Sequence, residues 1–239
     1  MMTRWLFALL IASAITPAQA ETAPVAFEAE YRVFYGNTEI GQGTRSLRYE
    51  GSQYQVTSKL QPAGLAKLFM GTIEERAQGK VVNQRLRPEH YFFDRSDRPK
   101  KRRDFQLDWE QMQVRNATGN DYALLPEAID TLSMQAQLMT DLSAQASDPP
   151  NEIRYTTVGR KGTDAYTFTI TLGPELALAA GSFSTLHLVR EKNGDRFEVW
   201  TAPELGHLPV RILHTEDDGK SFRLDLRSLP VFAQQTASN

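Results

Sequence analysis

Residues 166–172 read Tyr-Thr-Phe-Thr-Ile-Thr-Leu, four large apolar side chains alternating with three threonines. A period of two puts Tyr166, Phe168, Ile170 and Leu172 on one face of an extended chain and the threonines on the other. Aromatic and β-branched residues suit a pleated, half-buried surface, so the stretch predicts a strand with one face in the core. The same parity recurs outward in both directions. Phe27, Ala29, Tyr31, Val33 and Tyr35 alternate with Glu28, Glu30 and Arg32. Leu47 and Tyr49 alternate with Ser46, Arg48 and Glu50, and Tyr54, Val56 and Leu60 carry the pattern past Gly51-Ser52. Phe105, Leu107 and Trp109 alternate with Gln106, Asp108 and Glu110, as Phe222, Leu224 and Leu226 do with Arg223, Asp225 and Arg227.

Turn chemistry separates these runs. Gly36-Asn37, Gly51-Ser52, Lys192-Asn193-Gly194-Asp195 and Asp217-Asp218-Gly219 read as hairpin connections. Links this short imply antiparallel pairing, because a parallel pair needs a crossover of about a dozen residues or more. About a dozen strands are expected on this pattern. A long sheet with one apolar face twists, and hiding that face requires curling or folding into two layers. The expected class is therefore mainly β: an antiparallel curved sheet forming a barrel, half-barrel or sandwich, with one principal α-helix and one short helix. The short helix is expected over Pro62–Gly71, where Leu65, Leu68 and Phe69 follow i, i+3, i+4 spacing. The principal helix starts after Asp130 as N-cap, with Ile129 and Met134 in the positions of a hydrophobic staple. Leu132, Ala136, Met139 and Leu142 form its apolar stripe.

Residues 1–20 have the layout of a secretory signal: one basic residue, an apolar run from Trp5 to Ile15, and Ala18-Gln19-Ala20. Cleavage after Ala20 and a periplasmic destination are expected. The mature chain, 21–239, reads as a single β-rich domain in which 231–239 form a disordered tail. Asp148-Pro149-Pro150 is the only plausible internal boundary, and each side holds too few strands to close a sheet alone. The formal net charge of −2 becomes one unit more negative without Arg4, which excludes a nucleic-acid binder driven by bulk charge. No later stretch approaches the ~20 apolar residues of a spanning helix, so no transmembrane segment is expected in the mature chain. An outer-membrane barrel is disfavoured, since its strands need about 9–11 residues with an apolar lipid-facing band, and most runs are shorter with charged outward positions. The chain has 0 cysteines, which removes disulfides, thiol nucleophiles and thiolate metal sites.

Catalytic chemistry finds little footing. The four histidines are His90, His187, His207 and His214; only His214 has a carboxylate two residues away, Glu216, and no third ligand is in view. Gly181-Ser182-Phe183-Ser184 precedes a strand, not the helix of a nucleophile elbow. Gly41-Gln42-Gly43 lies between strands, so it is no phosphate loop. No metal, no cofactor and no enzyme are expected. Two features remain. Arg95–Arg103 holds six basic residues in nine positions, either a solvated hairpin end or a patch for an anionic partner made of Arg98, Lys100, Lys101, Arg102 and Arg103. Large apolar residues also fall on the second face: Trp200 beside Glu198, with Leu213 and Phe34 out of parity with their neighbours. Either the principal helix covers them, or an interior cavity takes an apolar ligand. The ligand-binding set is then Leu65, Leu68, Phe69 and Met70 as a lid, with Trp109 and Trp200.

The most distinctive stretch is Phe197-Glu198-Val199-Trp200-Thr201-Ala202-Pro203-Glu204-Leu205-Gly206-His207-Leu208-Pro209-Val210-Arg211-Ile212. Pro203 ends a strand, Leu205-Gly206 turns the chain, and Pro209 opens the next strand at an expected edge position. This stretch, with the opening Tyr31–Gly43 and the Leu-rich Leu65–Gly71, resembles exported bacterial proteins grouped as domain of unknown function 3108. The resemblance covers most of 25–229 and implies a β-rich exported protein; its motifs are structural and transfer no functional site. Two readings of function follow. One is a periplasmic binding or carrier module for an apolar or amphiphilic envelope molecule, such as a lipid. The other is a structural envelope protein that docks another protein by a sheet edge or the basic loop.

Overall fold

A computed structural model of the protein describes residues 23–145 and 148–233. In chain order these form β1 (Phe27–Tyr35), β2 (Thr38–Glu50), β3 (Gln53–Pro62), a 3-10 turn η1 (Gly64–Leu68), β4 (Ile73–Val82) and β5 (Arg85–Arg95). A second 3-10 turn η2 (Pro99–Lys101), β6 (Arg103–Asp108), β7 (Gln113–Asn116) and β8 (Tyr122–Ala123) follow. Helix α1 (Thr131–Ser143) leads to β9 (Glu152–Gly159), β10 (Gly162–Leu172), the small hairpin β11 (Leu176–Leu178) and β12 (Gly181–Phe183), and β13 (Leu186–Lys192). The chain finishes with β14 (Asp195–Ala202), a 3-10 turn η3 (Pro203–Leu205), β15 (Leu208–Thr215), β16 (Ser221–Leu226) and β17 (Val231–Phe232). Of these strands, 15 share one sheet, in the order β8-β7-β6-β5-β4-β3-β2-β1-β16-β15-β14-β13-β10-β9, with β17 on β1. All of its strand pairings are antiparallel, and no ladder joins β8 to β9, so the sheet is open.

The alternation seen in the sequence turns into two continuous rows of buried side chains. Phe27, Leu47, Val56, Ala77, Tyr91 and Phe105 stand opposite one another across β1 to β6, skipping none. Val33, Leu224, Ile212, Val199, Leu188 and Ile170 do the same from β1 across β16, β15, β14, β13 and β10. Phe27 and Val33 share the parity of β1, so both rows lie on one face. A one-residue slip in any strand would move its members to water, which makes the register strongly specified. The opposite face carries ion pairs such as Lys59–Glu74 at 2.9 Å and Lys80–Glu89 at 3.0 Å. Those charges, rather than strand length, separate this sheet from a lipid-facing one: β1 to β5 and β10 run 9 to 13 residues, longer than the sequence runs suggested.

Helix α1 sits on the apolar face, between parts of the sheet that are far apart in strand order. It packs on β3, β4 and β5 and also on β9. The Asp130 Oδ1 caps it, accepting from Leu132 N at 2.9 Å and Ser133 N at 2.8 Å. Gln137 Oε1 accepts from the backbone N–H of Leu86 in β5, and the Tyr155 hydroxyl of β9 donates to Asp141 Oδ2 at 2.7 Å. The one-sided stripe of Leu132, Ala136, Met139 and Leu142 is buried as expected, but so are Ser133, Met134, Gln137 and Leu138. The helix is enclosed rather than amphipathic; polar groups at Ser133 and Gln137 are tolerated because each finds a partner in Tyr54 or Leu86. The interior that could have been a cavity holds this helix. Bonds also link the two ends of the sheet: Tyr122 OH donates to Gly159 O, Asn116 Nδ2 to Arg160 O, and Ile129 pairs with Thr157 of β9.

Several expectations change. β1 keeps its parity through a register shift against β2, so Phe34 lies on the second face as its position in the sequence implied; it is nevertheless buried there, while Tyr35, at the end of the core row, is 37% exposed. Arg32 and Arg223 lie 5.1 and 4.3 Å from the Phe34 ring and cover it on the charged face. Pro209 is not on an edge, since β15 lies between β14 and β16; a bulge at Trp200/Thr201 absorbs its missing N–H. The helix expected over Pro62–Gly71 shortens to the single 3-10 turn η1, with no buried residue. Val231–Phe232, placed in a disordered tail, instead pair with Glu28 and Phe27. Residues 1–20, expected to be a secretory signal, and residues 234–239 of the expected tail lie outside the described residues.

Candidate functional site

Antiparallel strands put alternate connections at opposite ends of the sheet. One rim carries the β1–β2 turn, η1, the β5–β6 hairpin with η2, and the turns after β9, β13 and β15. On this rim the structure brings together the two sequence features that had no evident connection, the Leu-rich segment and the basic run. Ile73 of β4 pairs with Arg95 of β5, so the loop entering β4 meets the loop leaving β5.

The contact is tight. Ser96 N donates to Thr72 O at 3.0 Å. A Cβ on Gly71 would fall 2.2 Å from Ser96 Oγ and 2.4 Å from the Asp97 backbone N, so no larger residue fits without movement. Gly71→Ala should therefore separate the two loops. Faster tryptic cleavage within 63–72 and 95–103, with a stability loss of about 1–3 kcal/mol, is the expected result; an unchanged digestion pattern would show the loops to be independent.

The apolar residues of the segment do not close over the interior. Leu65, Leu68 and Phe69 are 79%, 72% and 80% exposed, and Met70 is half-buried. The chain enters η1 through Gly64 in the left-handed region at φ 55°, anchored by Ala63 N on Ile40 O at 2.7 Å. Lys67 stands among them, exposed. A cleft of about 480 Å³ runs beside the tip, lined in part by Gln42, Gln61, Lys67, Met70, Thr72 and Ser96.

The acids within the basic run have other work. Asp97 takes both Arg95 nitrogens, at 2.9 and 3.1 Å, and this bond, with the Arg95 charge, holds its carboxyl below the usual range. Asp104 Oδ1 is bonded to His90 Nε2 at 2.8 Å. Arg98 reaches Asp97 only at 3.8 Å, and among the described residues Lys67, Lys100, Lys101 and Arg102 form no ion pair. Arg102 rests 4.8 Å from the Phe92 ring and Arg103 lies 5.2 Å from Phe93, so the two arginines flank opposite faces of β5. Arg98, Lys100, Lys101 and Arg102 are exposed, and Arg103 is half-buried.

The remaining two ligand candidates lie elsewhere. Trp109 follows the far end of β6, six residues from the basic hairpin and so roughly 20 Å away along the strand. Its Nε1 donates to Pro88 O at 2.7 Å and Arg87 lies 5.0 Å from its ring, in a separate polar cleft of about 480 Å³. Trp200 is on β14, stacked on His187 at 4.4 Å, with its buried Nε1 unpartnered. Leu65, Leu68, Phe69 and Met70 thus lie on the same rim as the basic run, and Trp109 and Trp200 do not join them. Sequence reading missed Lys67 and the coupling through Gly71 and Asp97. A glycine between an apolar turn and a strand was their only signal, and it acquires meaning through the β4–β5 register.

No curated protein matches the chain significantly. The family model described as protein of unknown function (DUF3108) matches residues 30–227, from within β1 to just past β16, and so spans the whole rim. The resemblance expected from the Trp200–Ile212 stretch is thereby borne out, and the chain belongs to the DUF3108 family.

Proposed function

We propose that the protein is a non-enzymatic binding module of the cell envelope, exported to the periplasm with loss of residues 1–20, that engages amphiphilic matter through the tip at η1 and the cationic hairpin beside it. The shape carried by this reading is a half-barrel whose hollow is taken by α1. One observation supports it above others: three large apolar side chains stand in water next to cations with no carboxylate partner. Burying each such side chain is worth about 1.5–3 kcal/mol, and nothing among the described residues collects that gain. A molecule or surface with an apolar part and an anionic part would meet both halves of the site.

The test is a fluorescent fatty-acid probe. The double variant Leu68→Ala, Phe69→Ala should bind it at least about tenfold more weakly than the parent, while Trp200→Ala should leave binding unchanged. Equal binding by the double variant and the parent would discard the tip as the site. The protein-docking reading draws no support from the sheet edges: β8 has two residues, and β9 is shielded by Ile129. A probe that fails to bind, together with a stable protein partner at the tip, would favour that reading instead.

A further inference from the structure

We infer that the amphiphile is met as the surface of an anionic lipid bilayer, into which Leu65, Leu68 and Phe69 insert while the neighbouring cations sit on the phosphates. The inference rests on the proposed engagement of amphiphiles at this rim and names the form they take. Shape is the first argument. A site that carries a single lipid molecule is concave and buries most of its ligand. Here the concave side of the sheet is filled by α1, and the apolar residues stand on a protruding turn without one buried member. A protrusion complements a soft surface that it can enter, as interfacial segments do.

Charge around the rim is the second argument, and it sets an orientation. Lys67 lies on the tip itself and Lys100, Lys101 and Arg102 on the next hairpin. Past β7, the β9–β10 turn adds Arg160 and Lys161, brought near by the Asn116 Nδ2 bond to Arg160 O. On the other side of the tip the sign reverses. The β15–β16 turn holds Glu216, Asp217 and Asp218 against Lys220, which is paired with Asp218, while the β13–β14 turn is balanced, Lys192 and Arg196 against Glu191 and Asp195. One arc of the rim is therefore cationic and the arc across from it acidic. An anionic surface attracts the first and repels the second, which tilts the sheet so that the tip and its cations reach the headgroups together.

The absence of cysteine supplies a clean probe. A single cysteine in Phe69→Cys, or in Ser52→Cys on the opposite rim, can be labelled with an environment-sensitive fluorophore. With vesicles of pure phosphatidylglycerol at low salt, the label at 69 should brighten and shift to the blue, and the label at 52 should not change. Vesicles of pure phosphatidylcholine should bind at least about tenfold more weakly, and replacing Lys100, Lys101 and Arg102 by Gln should remove a similar factor. Added salt should weaken binding to phosphatidylglycerol. Equal binding to both lipids, or binding with no change at position 69, would overturn the inference. If the parent binds the monomeric fatty-acid probe at the tip yet ignores vesicles, the bilayer is wrong and the amphiphile reading stands. Failure of both assays removes both.

Discussion

Leu132→Ala is expected to lower the unfolding free energy by about 2–5 kcal/mol, the range for truncating a fully enclosed leucine. Leu132 is 0% exposed on a helix that touches β3 to β5 on one side and β9 on the other. The cavity left by the missing atoms cannot collapse easily, because the strands around it are held in register by their own ladders. Loosening α1 also weakens what ties the sheet's two ends together, since the Tyr155–Asp141 and Leu86–Gln137 bonds both run through it. Urea unfolding of the variant beside Leu65→Ala is the measurement. The exposed Leu65 should change stability by no more than about 0.5 kcal/mol. Similar losses in the two variants would mean that α1 is not the centre of the core.

The second large effect concerns Asp130 and pH. Burial pushes its carboxyl up to about 6, and the charge of Glu75 adds to this; the N–H groups of Leu132 and Ser133 and the Ser133 hydroxyl pull the other way. One oxygen caps α1, while Oδ2 is buried without a partner. The folded protein thus holds this proton more tightly than the unfolded chain does. Stability linked to the group is fullest below the ordinary carboxylate value of 3.8 and is lost as pH rises through about 6. At 1.36 kcal/mol for each pH unit, the loss is on the order of 3 kcal/mol. Asp130→Asn keeps an oxygen for the cap and cannot ionise. It should exceed the parent in stability near neutral pH by up to that amount, with the gap closing below about pH 4. Chemical denaturation of both proteins across this range decides the matter; parallel pH profiles would show that the carboxyl is not raised.

Why part of this architecture could be read from residues alone is clear in the two buried rows. Each of Phe27, Leu47, Val56 and Phe105 alternates with polar neighbours, and the parity of a strand is a local property that a few residues express. The same holds for Asp130 as a cap, whose partners lie two and three residues on. Where a side chain's surroundings come from distant strands, local pattern fails. Phe34 is buried on the charged face because Arg223 of the distant β16 stands opposite it and covers its ring, and Leu172, regular in sequence, ends 86% exposed because β10 runs to the end of its partner β13. The helical spacing of Leu65, Leu68 and Phe69 suggested a buried face, but a single turn between two strands has no second layer to bury it against.

By itself the sequence determined the strands, their antiparallel hairpins, the one apolar face and the capped helix, because each depends on residues within a turn or two of one another. Tertiary structure alone decided that the helix occupies the interior and that the Leu-rich turn shares a rim with the basic hairpin. Both depend on which strands become neighbours and in what register, and register sums over pairings tens of residues apart. Gly71 against Ser96 and Asp97 is the smallest instance: two short segments, 25 residues apart in the chain, joined because Ile73 stands opposite Arg95.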